Sequence, residues 1–133
     1  MMRSMPKDMT LRILIAEDNT DSANSMKMLL ESMGYEAHVV NDGEAAIKAV
    51  GDLQPQVILM DIGLPNLSGY GAARRIRAEH PGMPMRIIAL TGLGHKVDRL
   101  RSAEAGIDHH MVKPPDLAAL QKILDQTWMP GQR

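Results

Sequence analysis

The sequence predicts an α/β fold built on a five-stranded parallel sheet with helices on both faces. Three observations predict it. Five short apolar runs alternate strictly with segments of helical periodicity, the mark of repeated strand–helix units. The first, third and fourth runs are almost continuously apolar, as strands covered on both faces must be. The polar residues that interrupt this pattern gather at the carboxyl ends of the runs, where parallel sheets carry their sites.

Each element follows from its own residues. "LRILIA" (11–16) is the first strand. In 21–33, Ala23, Met26, Leu29, Leu30 and Met33 fall on one face of a helix, and Gly34 closes it. "YEAHVV" (35–40) is the second strand, and Asp42 is an N-cap for a short helix ending near Gly51. "QVILM" (56–60) is the third strand, followed by a helix over 68–79 that Pro81 and Gly82 stop. "MRIIAL" (85–90) is the fourth strand, and the helix over 96–105 ends at Gly106. "HHMV" (109–112) is the fifth strand. The last helix, 116–128, turns Leu117, Leu120, Ile123, Leu124 and Trp128 inward. Right-handed crossovers and five such units suit a doubly wound sheet of order 2-1-3-4-5, the flavodoxin-like arrangement.

The totals narrow the class. With 133 residues, 44% of them hydrophobic, the chain is expected to form one domain over 1–133, with a core at about 11–128 and flexible ends. A formal net charge of -1 leaves no electrostatic footprint for direct contact with nucleic acid or an anionic membrane. No cysteine is present, so disulfide and thiol chemistry are excluded. Apolar runs are strand-sized and no signal-peptide stretch opens the sequence, so a cytoplasmic location is expected. Phe is absent while Met reaches 12, so Met is expected to fill core gaps.

At the strand ends stand Glu17-Asp18 (first), Asn41 (second), Asp61 (third), Thr91-Gly92 (fourth) and Lys113-Pro114 (fifth). Taken singly, Glu17-Asp18 read as a strand end running into solvent, Thr91 as a turn hydroxyl and Lys113 as a solvated charge, whereas a buried strand has no ordinary reason to end on Asp61. Their conjunction at one edge of one sheet is much harder to produce by chance. Three close carboxylates repel one another, and a hard divalent cation such as Mg²⁺ relieves that repulsion. Carboxylate, cation, ammonium and hydroxyl together suit a phosphoryl group, with Asp61 as nucleophile and an aspartyl phosphate as product.

These segments resemble the response-regulator receiver domains of two-component signalling. "ILIAEDN" is similar to the family's acidic pair, "VILMDIGLPNLSGY" to its phospho-acceptor segment, "IIALTG" to its hydroxyl-bearing strand and "AGIDHHMVKP" to its closing lysine–proline segment. Thr91 stands thirty residues after Asp61 and Lys113 fifty-two after, as the family's order requires. "DIGLP", "ALTG" and "DHHMVKP" most resemble receivers attached to hybrid sensor histidine kinases.

The resemblance implies roles. Asp61 would accept phosphoryl from a histidine kinase or histidine phosphotransfer protein. Asp18 and Asp61 would bind Mg²⁺ directly, Glu17 through water, and Gly63 through its backbone carbonyl. Lys113 would pair with Asp61 and then with the phosphoryl group, the Lys113–Pro114 bond being cis. Thr91 would move inward as a switch, followed by His110, and the face formed by the fourth helix, fifth strand and fifth helix would meet an output protein. The chain departs from the common pattern at His110, where Tyr or Phe is usual, at Ser68 and Gly71, where acids are frequent, and at Pro115, where a bulky apolar residue is usual.

The expected function is therefore a phospho-acceptor switch, not a conventional enzyme: a single-domain regulator or a receiver from a hybrid kinase. Two other readings stay open. An aspartyl-phosphate phosphatase would need a second carboxylate two residues after the nucleophile, where Gly63 stands. An interaction module without phosphorylation would typically have lost an acid, the acceptor or the lysine. His109 and His110, as strand neighbours, point to opposite faces and cannot share an ion. Arg74, Arg75, Arg77 and Arg86 read as a solvated basic face.

Overall fold

The computed structural model describes residues 10–92 and 98–127. Its elements run β1 (Arg12–Ala16), α1 (Thr20–Ser32), β2 (Glu36–Val40), α2 (Gly43–Leu53), β3 (Val57–Asp61), α3 (Gly69–Glu79), β4 (Arg86–Thr91), α4 (Arg99–Ala105), β5 (His109–Val112) and α5 (Leu117–Thr127). The strands form one parallel sheet of order β2-β1-β3-β4-β5, the order the alternation predicts. Leu93, His95, Lys96 and Trp128 lie outside the described residues, as do the start expected for the fourth helix and the end expected for the fifth.

Register carries the sequence pattern into two packed layers. Ile13 pairs with Val57 and Leu14 with Ile58, so alternate residues of adjacent strands face the same side. Leu14, Ala16, Ile58, Met60, Ile87 and Ala89 pack with Ala46 and Val50 of α2, Ala73 and Ile76 of α3, and Ala105 of α4. Ile13, Ile15, Leu59 and Ile88 pack with Leu30 of α1 and with Leu120 and Leu124 of α5. Every residue of β3 is buried, which explains its unbroken apolar run.

The helix ends follow local chemistry. Asn19, Asp42, Ser68 and Asp98 each accept a backbone N–H of the first turn of α1, α2, α3 and α4. Gly106 ends α4 with φ 80°, a conformation that suits glycine. Leu117 corrects the sequence reading: it is 45% exposed, not inward. It is the first residue of α5 and lines an open cleft with Met26, Leu29 and Pro115. Arg77 also differs from a solvated charge, since it donates to the Gly106 carbonyl and to Asp108. β3 and β4 each run one residue further than expected, so Asp61 and Thr91 are held within the sheet ladder.

The start of α3 is seated directly on the end of β3. Gly69 N–H donates to the Ile62 carbonyl at 2.9 Å. A Cβ on Gly69 would stand 2.6 Å from the Asp61 carbonyl oxygen and 2.8 Å from Ile62 Cα, both backbone atoms that cannot turn aside. Gly69→Ala should therefore lower stability by about 1–3 kcal/mol, read as a lower urea midpoint at unchanged slope. Gly71→Ala comes too close only to side-chain atoms, with the end of Leu67 nearest at 2.7 Å, and should cost less. Equal midpoints for Gly69→Ala and the parent would contradict this close approach.

Candidate functional site

β1, β3 and β5 deliver their terminal side chains to one point beyond the carboxyl edge of the sheet. Lys113 follows β5, where the Lys113–Pro114 bond is cis. Its Nζ donates to Glu17 Oε1 at 2.9 Å and to Asp61 Oδ2 at 3.0 Å. The second Asp61 oxygen, Oδ1, accepts the Gly63 N–H at 2.9 Å. The turn after β3 thus returns its own backbone donor to the carboxylate. Glu17 Oε2 accepts the Asn19 N–H, and the Glu17 carbonyl accepts Asn41 Nδ2.

Burial separates the three acids. Glu17 and Asp61 are buried, 3% and 7% exposed, whereas Asp18 is exposed. Ligand oxygens of Glu17, Asp18 and Asp61 all lie within 4.8 Å of one another. Among the described residues, no hydrogen bond or ion pair occupies the Asp18 carboxylate. An all-oxygen set with one open carboxylate fits a hard cation such as Mg²⁺.

Electrostatics follow from this geometry. Burial pushes the Glu17 carboxyl above its ordinary value, against hydrogen bonds from Asn19 and Lys113 that favour its charged form, while the Asp61 charge adds to the rise. Burial pulls Lys113 down, but its bonds to Glu17 and Asp61 outweigh that and hold it raised. The proton therefore resides on the lysine, as an ammonium between two acids. Thr91, also buried, donates a long 3.4 Å hydrogen bond to the Met111 carbonyl of β5.

The structure brings Glu17, Asp18, Asp61, Gly63 and Lys113 together and sets Thr91 at the end of β4, beside β3 in the sheet. His110 faces α4 instead, its Nε2 2.6 Å from Ser102 Oγ. Sequence reasoning missed two contributors here, Asn19 and the side chain of Asn41. The signal for Asn19 was available, because an Asn just before a helix is a capping residue whose own N–H can serve the acid behind it.

The model of the response regulator receiver domain matches residues 13–125. The chain belongs to the response regulator receiver family. This receiver is 34% identical over 106 residues to the DNA-binding response regulator MtrA of Mycobacterium tuberculosis, a match covering 80% of the chain and 45% of MtrA. The chain spans less than half the length of the curated relatives it matches. Among solved structures it resembles the receiver domain of sensor histidine kinase PA1611 from Pseudomonas aeruginosa PAO1, with 37% identity, a TM-score of 0.78, and coverage of 89% of this chain and 97% of that one. The PA1611 structure holds a magnesium ion in its active-site cleft. It also resembles a chain in the Saccharomyces cerevisiae complex of the phosphotransfer protein Ypd1 with the Ssk1 receiver, with 26% identity, a TM-score of 0.79, and coverage of 90% and 89%. Among the described residues no helix is long and apolar enough to cross a membrane.

The receiver's acid pair depends on its lysine. Lys113→Met would leave Glu17 and Asp61 facing each other without a counterion and push Glu17 further up. The folded state then holds a proton that the unfolded state releases, so stability falls as pH rises from the ordinary Glu value through the raised one. Relative to the parent, the variant should lose on the order of 1–3 kcal/mol between about pH 4 and about pH 7, less than for a fully buried pair because Lys113 is partly exposed. Urea melts across that range test it, and a difference that does not change with pH would contradict the pairing.

Proposed function

We propose that this receiver is a phospho-acceptor switch in which Asp61 takes a phosphoryl group from a histidine kinase or histidine phosphotransfer protein. One observation carries the reading: the buried Asp61 has one oxygen held by the Gly63 N–H and the other by Lys113, while Glu17 and Asp18 face it within 4.8 Å. The Asp61 carboxylate forms the new O–P bond as the P–N bond of the donor phosphohistidine breaks and the electron pair leaves with the imidazole. Lys113 exchanges the Asp61 oxygen for a phosphoryl oxygen, so its charge stays compensated. The Thr91 hydroxyl exchanges its long bond to Met111 for another phosphoryl oxygen, which draws on β4 and β5 and so on the face of α4, β5 and α5. The chemistry is turnover of the chain's own side chain, not of an external substrate.

Mg²⁺ would be held by Asp18 and Asp61 directly, by the Gly63 carbonyl, and by Glu17 through water. When bound, the cation supplies positive charge that offsets the clustered acids and the phosphoryl oxygens. The exposure of Asp18, against the burial of Glu17 with both oxygens held by Lys113 and Asn19, supports Asp18 over Glu17 as a direct ligand.

A cleft of about 720 Å³, lined by Met26, Leu29, Lys113, Pro115 and Leu117 among others, supports approach of a donor along α1. Leu100 and Val112, 70% and 50% exposed, support an output contact on the α4 and β5 face. No direct contact with nucleic acid or membrane is assigned to the domain, whose net charge is -1, and the location proposed for it is cytoplasmic.

Incubation with Mg²⁺ and a small acyl phosphate should add one phosphoryl group by intact mass, and Asp61→Asn should abolish the addition while remaining folded. Undiminished labelling of folded Asp61→Asn would sink the assignment. By calorimetric titration, Asp18→Ala should weaken Mg²⁺ binding more than Glu17→Gln, whose effect as an outer partner is on the order of 10-fold. Equal losses would refute the ranking.

A further inference from the structure

α4 is held to the rest of the domain largely by polar contacts. Its buried side chains are Ser102 and Ala105, and Leu100 on the same helix is 70% exposed. From α3, the Tyr70 hydroxyl accepts the Asp98 N–H at 3.2 Å, and the Arg101 guanidinium lies 4.4 Å from the Tyr70 ring centroid. Arg77 of α3 donates to the Gly106 carbonyl at 3.1 and 2.9 Å. From the sheet, His110 of β5 meets Ser102 with Nε2 2.6 Å from Oγ. Ser102 is 1% exposed, so loss of this partner would strand a buried hydroxyl.

We propose that Ser102 and His110 form a latch that docks α4 on β5, and that proton uptake by His110 releases it. The hydroxyl can donate to a neutral ring nitrogen or accept from a protonated one, so bonding geometry alone tolerates both forms. Charge decides between them. Ser102 is uncharged, and so is Ala89, the β4 register partner of His110. Among the described residues, the charges that act on the ring are Arg99 on α4 and His109 on its own strand, and neither compensates an imidazolium. Burial first, then Arg99 and His109, hold the His110 pKa below its ordinary value of 6.5. The docked state therefore prefers the neutral ring, and proton uptake favours any state in which the half-buried ring is more fully hydrated. Docking is at full strength above the ordinary value and weakens as pH falls through it toward the lowered one.

The latch also adjoins the acceptor site. His110 precedes Met111, whose carbonyl accepts the Thr91 hydroxyl, so movement of Thr91 reaches β5 one residue from the latch. The inference stands whether or not Asp61 accepts a phosphoryl group, and its test uses the unphosphorylated full chain. Hydrogen-exchange protection factors of the amides of 102–107 and the ring titration of His110 are followed by NMR from about pH 7.5 to about pH 5. The protection of these amides should fall about 10-fold or more with the His110 titration while that of α3 holds. Ser102→Ala should show the loss already at the upper pH, with His110 titrating closer to an ordinary histidine. His110→Gln, which retains a hydrogen-bonding group without a titrating ring, should remove the pH dependence. Constant α4 protection through the parent's His110 titration would overturn the proposal, and this arm needs no variant to fold. Persistence of the pH dependence in His110→Gln, or parent-like protection and titration in Ser102→Ala, would overturn it as well.

Discussion

One ammonium group, Lys113 Nζ, stands between two buried carboxylates contributed by strands far apart in the chain, Glu17 from the end of β1 and Asp61 from β3. Like charges about 4 Å apart repel by about 4 kcal/mol at an effective dielectric near 20. That is comparable with the whole stability of a small domain, about 5–15 kcal/mol. β1 and β3 can end in acids side by side only because the segment after β5 returns a cation to them. The sheet order makes this return possible, since β1 and β3 are neighbours at its centre. Glu17 and Asp61 are thereby buried side by side, each with a fixed donor.

Much of this arrangement is legible from local sequence. The periods of two and of three to four residues mark the elements, and Asp42, Gly34 and Gly106 mark helix ends, because these signals depend only on near neighbours. The site is legible too, because a parallel sheet sends the residues that end its strands to one edge. What is not legible depends on a distant partner. Arg77 shares its helix and its charge with Arg74 and Arg75, yet it binds Gly106 and Asp108, which are 29 and 31 residues away. Ser102 reads as an ordinary helix serine until His110 is placed against it. Leu117 fits the apolar spacing of α5, yet at the helix start it faces an open cleft and stays exposed.

The two faces of the sheet are unequal. On one, α1 and α5 pack through large aliphatic side chains such as Leu30, Leu120 and Leu124. On the other, α2 and α3 do the same, but α4 contributes Ala105 to the apolar layer and depends on bonds with direction. Apolar contacts yield gradually to small shifts, whereas a hydrogen bond weakens steeply with distance and angle. A disturbance at the carboxyl edge thus meets a stiff sheet and, at α4, the element whose attachment is most nearly all or none.

Strand order also determines which backbone is left open to a neighbouring molecule. β2 and β5 are the two edges. An unpaired strand edge is a template for adding further strands and so for aggregation. β5 has four residues, and Pro114 and Pro115 just beyond it have no N–H to extend a ladder. β2 sets charge along its edge, with Glu36 bound to Arg12 and His38. Shortness and proline guard one side, and paired charges guard the other. Growth of the sheet from copy to copy is discouraged at both ends, and encounters with other molecules are left to the helices and to the loops at the carboxyl edge.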